Sequence, residues 1–307
     1  DLDLHKHTVD KIHIRCDKCK GTMKRVPEVM DCWFESGSMP YASKHYPFEN
    51  VNDFGHNFPA DFVSEYISQV RTWFYYMHVL GVLLFDKPPF KNVVVSGTVL
   101  AENGSKMSKS KKNFPDPNLI FEKYGADALR FYLMSSTLMR AQDLNFSERG
   151  LEETSKKVII LLDNVKKFYQ LFSEESVNIE FMQSDNILDR WIVSRLNLLV
   201  RNVTDSLDDY NTIAACKDIT DFIDNLSTWY VRRSRDRFKS EATTLKNEAL
   251  NTLSYVLFTL SKLMAPITPF ISEDIHKMFM RRHDGLPESV HLNKWPEYDN
   301  ALIDEKL

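Results

Sequence analysis

Residues 92–113 read Asn-Val-Val-Val-Ser-Gly-Thr-Val-Leu-Ala-Glu-Asn-Gly-Ser-Lys-Met-Ser-Lys-Ser-Lys-Lys-Asn. The β-branched run from Asn92 to Ser96 predicts a buried parallel strand. The loop after it would then leave the carboxyl end of a sheet strand, where α/β folds bind nucleotides. Lys106 and Lys109 lie three residues apart on this loop, so their ammonium groups could neutralise the phosphates of a bound nucleotide.

A second interpretation of the same lysines needs no ligand. Runs of lysine usually form a solvated basic turn, and Lys111 and Lys112 extend this one. Four lysines alone do not decide between these two interpretations.

The complete string resembles the signature loop of the class I aminoacyl-tRNA synthetases. The match comprises Lys106-Met107-Ser108-Lys109-Ser110 with the flanking patterns Gly97-x-Val99 and Asn113-x-Pro115. The resemblance implies an α/β Rossmann-type catalytic half followed by an all-α helical-bundle anticodon-binding domain. It also implies that the loop closes over ATP, with Lys106 and Lys109 as catalytic residues and Gly97 and Val99 at the adenylate.

Two further strings narrow the resemblance to the branch that handles branched aliphatic amino acids, and within it to the isoleucine-specific members. Residues 31–42 read Asp-Cys-Trp-Phe-Glu-Ser-Gly-Ser-Met-Pro-Tyr-Ala, and residues 65–74 read Glu-Tyr-Ile-Ser-Gln-Val-Arg-Thr-Trp-Phe. By this resemblance Trp33 and Trp73 wall the amino-acid pocket, while Glu65 and Gln69 contact the adenylate. Taken alone, each tryptophan could equally be a core residue, and Glu65 a carboxylate at a helix start.

The chain departs from the family pattern in the second string. Tyr66, Ser68 and Thr72 stand where the family usually has Gly, Asp and Gly. A tyrosine at a close backbone approach and the loss of an acceptor make ribose contacts at Ser68 doubtful. We expect these differences to reflect lineage variation in an active enzyme.

The family's His-x-Gly-His motif and its editing insertion do not occur in the sequence. Asp1 is therefore interpreted as an interior residue of a longer protein or the start of a truncated one. We expect the 307 residues alone to be inactive, because half of the ATP site would be missing.

Composition places the chain among ordinary globular proteins, with 43% hydrophobic and 27% charged residues, and the length predicts about two domains. A net charge of -4 restricts any RNA contact to a local surface. No apolar run is long enough for a membrane span, and four cysteines without a disulfide pattern favour the cytoplasm. The resemblance implies ATP with Mg²⁺, L-isoleucine and the isoleucine-accepting tRNA as partners, no membrane, and a monomer at full length.

Residues 8–27 predict a small β-hairpin that carries Cys16 and Cys19 on its turn. Such a Cys-x-x-Cys knuckle supplies two ligands of a tetrahedral zinc site. The other two ligands could come from a pair elsewhere, the knuckle could be orphaned, or histidines could complete it, namely His5, His7 or His13. Cys32 and Cys216 are interpreted as core residues.

The patterning predicts four successive parts of the chain. Residues 1–30 form the connective knuckle, 31–135 the second half of the Rossmann domain, 136–155 a stem-contact linker and 156–307 the bundle. A buried helix is expected from Gln69 to Phe85. Helical periodicity predicts four bundle helices, and Ser272 and Glu273 can start a fifth.

Each of the four predicted helices has one apolar face. These faces comprise, in chain order, Val158, Leu161, Leu162, Val165, Tyr169 and Phe172 in the first helix; Leu188, Ile192, Leu196, Leu199 and Val203 in the second; Ala215, Ile219, Phe222, Leu226 and Trp229 in the third; and Leu250, Leu253, Leu257, Leu260 and Met264 in the fourth.

Residues 229–238 concentrate arginine and aromatic side chains at a helix end. Arginine binds phosphates in a bidentate manner, and aromatic faces stack on unpaired bases. The segment resembles the anticodon-binding bundle of isoleucyl and valyl relatives, which implies tRNA binding by Trp229, Arg232, Arg233, Arg235 and Arg237. The alternative keeps Trp229 and Phe238 in the core and pairs the arginines with carboxylates, namely Asp221, Asp224 and Asp236.

Two other functions stay open at this point. One is a valyl or related synthetase of the same branch, which would share most of these motifs. The other is a tRNA-binding module without activity.

Overall fold

The computed structural model of the protein describes residues 3, 5–28, 31–108, 110–173, 178–304 and 306–307. It divides the chain into two units, of which the first comprises Asp1–Val63 with Ser68–Val93 and the second Ser64–Ile67 with Val94–Leu307. The boundary near residue 93 falls inside the range 31–135 that the sequence assigns to one catalytic half. None of the helices in the described ranges is long and apolar enough to cross a membrane.

The first unit begins with the predicted hairpin. Helix α1 (Lys6–Val9) precedes strands β1 (His13–Arg15) and β2 (Thr22–Lys24), which pair antiparallel with Ile14 opposite Met23. The backbone amide of Cys16 donates to the carbonyl of Gly21 at 2.8 Å and closes the turn. The hairpin prediction is therefore confirmed.

Four helices and a pair of strands complete the description of this part of the chain. The helices are α2 (Cys32–Gly37), α3 (Met39–Ala42), α4 (Val51–Asn57) and α5 (Trp73–Phe85). Helices α2 and α5 pack closely at Gly37, where a Cβ atom would lie 2.8 Å from Cβ of Tyr76. Only glycine permits this approach.

Helix α5 differs from its prediction in two ways. It begins at Trp73, since residues Ile67–Arg71 form a 3₁₀ helix ahead of it. The expected burial around its circumference is wrong, because Leu83 is 75% exposed while Phe74, Met77 and Leu80 are buried. The apolar composition of a helix therefore does not determine how much of its surface is buried.

Strands β3 (Ala60–Tyr66) and β4 (Phe90–Ser96) form a two-stranded sheet. The predicted strand is thus present, but its predicted burial is wrong, since Val93 is 43% exposed. Within the described ranges β4 has one strand neighbour, so its other edge and its faces are not enclosed as in a larger sheet.

The second unit carries the lysine loop on a small α/β element. Strands β5 (Val99–Leu100) and β6 (Leu144–Asn145) pair in parallel, and helices α6 (Pro117–Tyr124), α7 (Ala126–Met134) and α8 (Glu148–Thr154) pack beside them. A small apolar core joins these elements, and its buried members are Ile120, Ala128, Phe146 and Leu151.

The rest of the second unit is a helical bundle, as predicted. Its helices are α9 (Leu161–Phe172), α10 (Ile187–Asp208), α11 (Thr212–Asp224), α12 (Arg232–Phe238), α13 (Thr243–Met264) and α14 (Pro269–Met280). π-Helical segments precede α9 at Ser155–Ile160 and join α11 to α12 at Asn225–Val231. The fifth predicted helix, α14, starts at Pro269, three residues early, because proline is well placed in a first helical turn.

The predicted apolar faces line the bundle core except at one residue. Leu226 is fully buried, but Trp229 is 46% exposed. The π-helical segment explains the difference, because its wider turn shifts every later side chain around the axis relative to an α-helical pattern.

Helix α7 joins the lysine-loop region to the bundle. The buried carboxylate of Asp127 accepts from the backbone amides of Phe270 and Ile271, at 3.2 and 2.7 Å, and so caps the amino end of α14. One turn further on, Arg130 donates to the carbonyls of Ile267 and Pro266, at 2.9 and 2.8 Å. Burial raises the pKa of Asp127, while the two amides oppose that shift.

A buried ion pair fixes α12 inside the bundle. Asp189 is 1% exposed and receives two hydrogen bonds from the Arg237 guanidinium, at 2.7 and 2.6 Å. The hydroxyls of Tyr230 and Ser184 donate to the same carboxylate, each at 2.8 Å. All of these donors would lose their acceptor if the carboxylate were removed.

Replacing Asp189 with Asn should therefore lower the free energy of unfolding by about 3 kcal/mol, because it leaves the Arg237 charge buried without its partner. Urea unfolding followed by circular dichroism measures the change. Asp185→Asn, an exposed carboxylate nearby, is the matched control and should change stability by less than about 0.5 kcal/mol. Equal stability of the two variants would contradict a structural role for the pair.

Candidate functional site

The lysine loop starts from a tight turn at the end of β5. The amide of Ala101 donates to the Ser105 carbonyl at 2.9 Å, and Leu100 pairs with Lys106 in an antiparallel bridge. Gly104 adopts a positive φ of 77°, a conformation that glycine reaches without a steric penalty. The turn therefore folds the chain back on β5. The backbone of Lys106 is held beside Leu100.

The loop lysines are available to an anion. Lys106, Lys111 and Lys112 are exposed, and none forms an ion pair with a carboxylate of the described chain. Lys109, the residue to which the sequence assigns the phosphate contact, lies outside the described residues. The three described lysines therefore keep their charges accessible to solvent.

Asn113 closes the loop at its other end. Its side-chain oxygen accepts from the Ser108 amide at 3.0 Å, and its nitrogen donates to Ser105 Oγ at 3.0 Å and to the Lys106 carbonyl at 3.1 Å. The sequence marks Asn113 only as part of a flanking pattern, and the structure shows what its carboxamide does.

Gly97 has a steric role in the structure. A Cβ atom at this position would lie 1.9 Å from the carbonyl oxygen of Gln142, so two backbone segments cross here in contact. The Gly97 amide donates to the Leu138 carbonyl at 2.8 Å, and next to it the Thr98 amide donates to Asp143. Val99, one residue later, packs against the small core. Adenylate contacts by Gly97 and Val99 stay predictions.

Glu65 and Gln69 lie in different local settings. Glu65 is exposed near the end of β3 and lies just before the 3₁₀ helix Ile67–Arg71, a place that agrees with the helix-start interpretation, and its adenylate contact stays a prediction. Gln69 Oε1 accepts from the Trp73 amide at 3.1 Å and from Thr72 Oγ1 at 2.6 Å. Gln69 thus caps α5, and Thr72, one of the departures from the family pattern, takes part in that cap.

The two tryptophans of the predicted pocket belong to the first unit, and both are half-buried. Trp73 Nε1 donates to the Ser36 carbonyl at 3.1 Å, which fixes its indole against α2. Trp33 lies at the start of α2, where its amide donates to the capping carboxylate of Asp31 at 2.8 Å. Neither side chain is sealed in a core, so each keeps part of its apolar surface available.

The arginine-rich segment divides into an exposed part and a buried part. Arg232, Arg233 and Arg235 are exposed, and the guanidinium of Arg233 stacks 4.2 Å above the ring centre of the exposed Trp229. Phe238 is fully buried, as the alternative interpretation expected, whereas Trp229 is not.

Arg237 is a correction to the predicted set of RNA-binding residues. Its side chain is 12% exposed and engaged by Asp189, a partner that neither interpretation of the sequence named. Both terminal nitrogens of the Arg237 guanidinium donate to this buried carboxylate, so they are not available to a phosphate. The sequence carries no signal for this pair, since its members lie 48 residues apart on different helices.

The cysteine knuckle receives no support as a metal site. Within the described ranges no group of three or more His, Cys, Asp or Glu side chains could hold a metal ion. His5 and His7 approach Asp3, at 2.5 and 3.6 Å. Backbone amides of Cys19 and Lys18 lower the pKa of the Cys16 thiol, a property of the turn itself.

Comparisons with known families account for most of the chain. Residues 1–147 match the model of the tRNA synthetases class I (I, L, M and V), and residues 189–307 match the anticodon-binding domain of tRNA ligase. The chain belongs to the class I tRNA synthetases. The family match confirms the predicted order of a class I catalytic region followed by an anticodon-binding region.

Three similar relatives are named isoleucine--tRNA ligases. An isoleucine--tRNA ligase of Treponema denticola is 45% identical over 99% of this chain, and the cytoplasmic isoleucine--tRNA ligase of Schizosaccharomyces pombe is also 45% identical over 99%. The cytoplasmic isoleucine--tRNA ligase of Caenorhabditis elegans is 46% identical over 99%. The chain spans 28–30% of the length of these relatives.

A solved synthetase shares the fold. The LeuRS of Agrobacterium radiobacter K84, in a ternary complex with tRNA and LeuAMS, has a TM-score of 0.71 and 23% identity. The similarity covers 95% of this chain and 36% of that one. It concerns the arrangement of the backbone.

The crossing at Gly97 gives a direct test of how the loop is anchored. Gly97→Ala should destabilise the second unit by about 1–3 kcal/mol, because the methyl group must push apart two backbones. Thermal unfolding measures the loss. Gly55→Ala is the matched control, since a Cβ atom at Gly55 meets nothing within 4 Å. Similar melting temperatures for wild type and Gly97→Ala would refute the close crossing.

Proposed function

We propose that the protein activates L-isoleucine with ATP and transfers the isoleucyl group to its tRNA. The exposed lysines of the loop that follows β5 support the proposal, because Lys106, Lys111 and Lys112 form no ion pair within the described residues and could neutralise a polyphosphate. Relatives named isoleucine--tRNA ligase, 45% identical over nearly the whole chain, support the choice of amino acid. Exchange of labelled pyrophosphate into ATP, dependent on isoleucine, tests the activation step.

Adenylate formation depends mainly on neutralising the negative charge of the ATP phosphates. The isoleucine carboxylate attacks the α-phosphorus of ATP, the bond to the bridging oxygen breaks, and pyrophosphate leaves as isoleucyl-adenylate forms. Negative charge crowds on the phosphates as this happens, and a lysine held near them stabilises that charge. Mg²⁺ bound to the phosphates of ATP would add to this neutralisation.

The part of the site that binds the amino acid belongs to the first unit. Trp33 and Trp73 offer rigid apolar surface, and the bond from Trp73 Nε1 to Ser36 fixes one indole in place. A hydrocarbon pocket separates isoleucine from valine by one methylene, about 1–3 kcal/mol, a general limit for which isoleucyl-tRNA synthetase is itself the standard example.

The bundle supplies the RNA contact. Trp229 presents an exposed ring backed by Arg233, a stack that could take an unpaired base on its free face. Arg232 and Arg235 are exposed on the same short helix and could reach phosphates. Arg237 contributes indirectly, by holding α12 against Asp189. The family implies tRNA, amino acid and ATP as partners, while the cytoplasm as compartment and a monomeric state stay predictions.

Lys109→Ala in the whole gene product should lower kcat for isoleucine-dependent pyrophosphate exchange by roughly 100-fold, as expected for the loss of an electrostatic stabiliser. Lys294→Ala is the matched control, an exposed lysine outside the loop, and should retain activity within about threefold. Near wild-type exchange by Lys109→Ala would show that this lysine does not act on the phosphates.

Trp73→Ala should reduce kcat/KM for isoleucine and narrow the ratio of isoleucine to valine, because a vacated indole no longer shapes the pocket. Trp295→Ala removes a tryptophan of the bundle and should lower the melting temperature at an unchanged ratio. If Trp73→Ala behaved in that second way, Trp73 would be a core residue and not a pocket wall.

A further inference from the structure

The carboxamide of Asn113 ties together three points of the lysine loop. Its nitrogen donates to Ser105 Oγ and to the Lys106 carbonyl, and its oxygen accepts from the Ser108 amide, all at 3.0–3.1 Å. These bonds span both sides of Lys106 and reach the residue immediately before Lys109. One side chain thus fixes the backbone at Ser105, Lys106 and Ser108.

A second tier of bonds extends this clasp, defined here as the bonds of Asn113 to residues 105, 106 and 108. The Ser108 hydroxyl accepts from the Lys111 amide at 3.2 Å, and the Ser108 carbonyl accepts from the Lys112 amide at 3.1 Å. Ser108 therefore links the clasp to the returning half of the loop. Past Asn113 the chain is fixed again, since Asp116 caps α6 by accepting from the Asn118 amide.

The clasp requires the donors, acceptor and length of asparagine. Aspartate would keep the acceptor but place a second oxygen against Ser105 Oγ and the Lys106 carbonyl, and alanine would remove all three bonds. Without them the loop would sample many open conformations, each of which must be closed again when a phosphate binds.

We propose that Asn113 is a positioning residue for adenylate formation, which pre-arranges the lysine loop around ATP. Asn113 itself need not touch ATP, and its effect passes through the backbone at Lys106 and Ser108. This role rests on the proposed function, because the phosphates are the ligand for which the lysines are arranged. The hydrogen-bonded clasp can be tested without any activity.

The first experiment is limited trypsin digestion of the 307-residue chain. Asn113→Ala should be cut in the loop roughly tenfold faster than wild type, since losing one or two net hydrogen bonds shifts an opening equilibrium by about that factor. Cleavage after exposed bundle arginines such as Arg232 is the internal reference for folding. Asn118→Ala is the matched control, an exposed asparagine whose side chain bonds no described residue.

Loop cleavage of Asn113→Ala at the wild-type rate would overturn the proposal. Equal acceleration in Asn118→Ala would also overturn it, because the clasp would then not be specific. Ser105→Ala removes one acceptor of the clasp and keeps Asn113, so it should show an intermediate rate. It also tests the clasp if Asn113→Ala does not fold.

The second experiment is pyrophosphate exchange by the whole gene product. Asn113→Ala should lower kcat/KM for ATP by roughly ten- to a hundredfold, with KM for isoleucine changed less than about twofold. A loss of folded enzyme would instead lower kcat alone, with the KM values for ATP and for isoleucine both unchanged, and that outcome would overturn the positioning role. A wild-type protein without isoleucine-dependent exchange would instead overturn the proposed function, and loop cleavage would still report on the clasp by itself.

Discussion

The arrangement of the second unit depends on the contact between two backbones at Gly97. The segment before β5 passes so close to Gln142 that no side-chain atom fits between them. This contact brings β5 beside β6, and the lysine loop begins where β5 ends. The proposed action of the loop on a polyphosphate requires a fixed origin, because a displacement of about 1 Å can cost two orders of magnitude in rate.

Two further sets of hydrogen bonds fix the regions on either side of the Gly97 contact. Asn113 holds the far side of the loop by three hydrogen bonds. Asp127 and Arg130, on one face of α7, bond the turn that precedes α14 and so connect the loop region to the bundle. The lysine loop and the helical bundle therefore belong to one hydrogen-bonded unit.

Local patterns in the sequence were sufficient for most of the secondary-structure elements. The hairpin around Cys16 and the apolar faces of the bundle helices follow from periodicity and turn residues, whereas the candidate site residues were assigned by resemblance to the family. The failures have physical causes that short patterns do not contain. Trp229 turns outward because a π-helical segment shifts the phase of its helix, and Val93 is exposed because burial depends on neighbouring strands. The pair of Arg237 with Asp189 joins residues 48 positions apart, and the bond from the Ile271 amide to Asp127 joins residues 144 positions apart.

The central claim is that this chain belongs to an enzyme that activates isoleucine with ATP. The most direct measurement is pyrophosphate exchange by the purified wild-type gene product, with isoleucine, valine and leucine supplied in turn. The account predicts that pyrophosphate exchanges into ATP only when an amino acid is supplied, and that kcat/KM is highest for isoleucine. Equal or faster exchange with valine, or no exchange with any of the three amino acids, would contradict it.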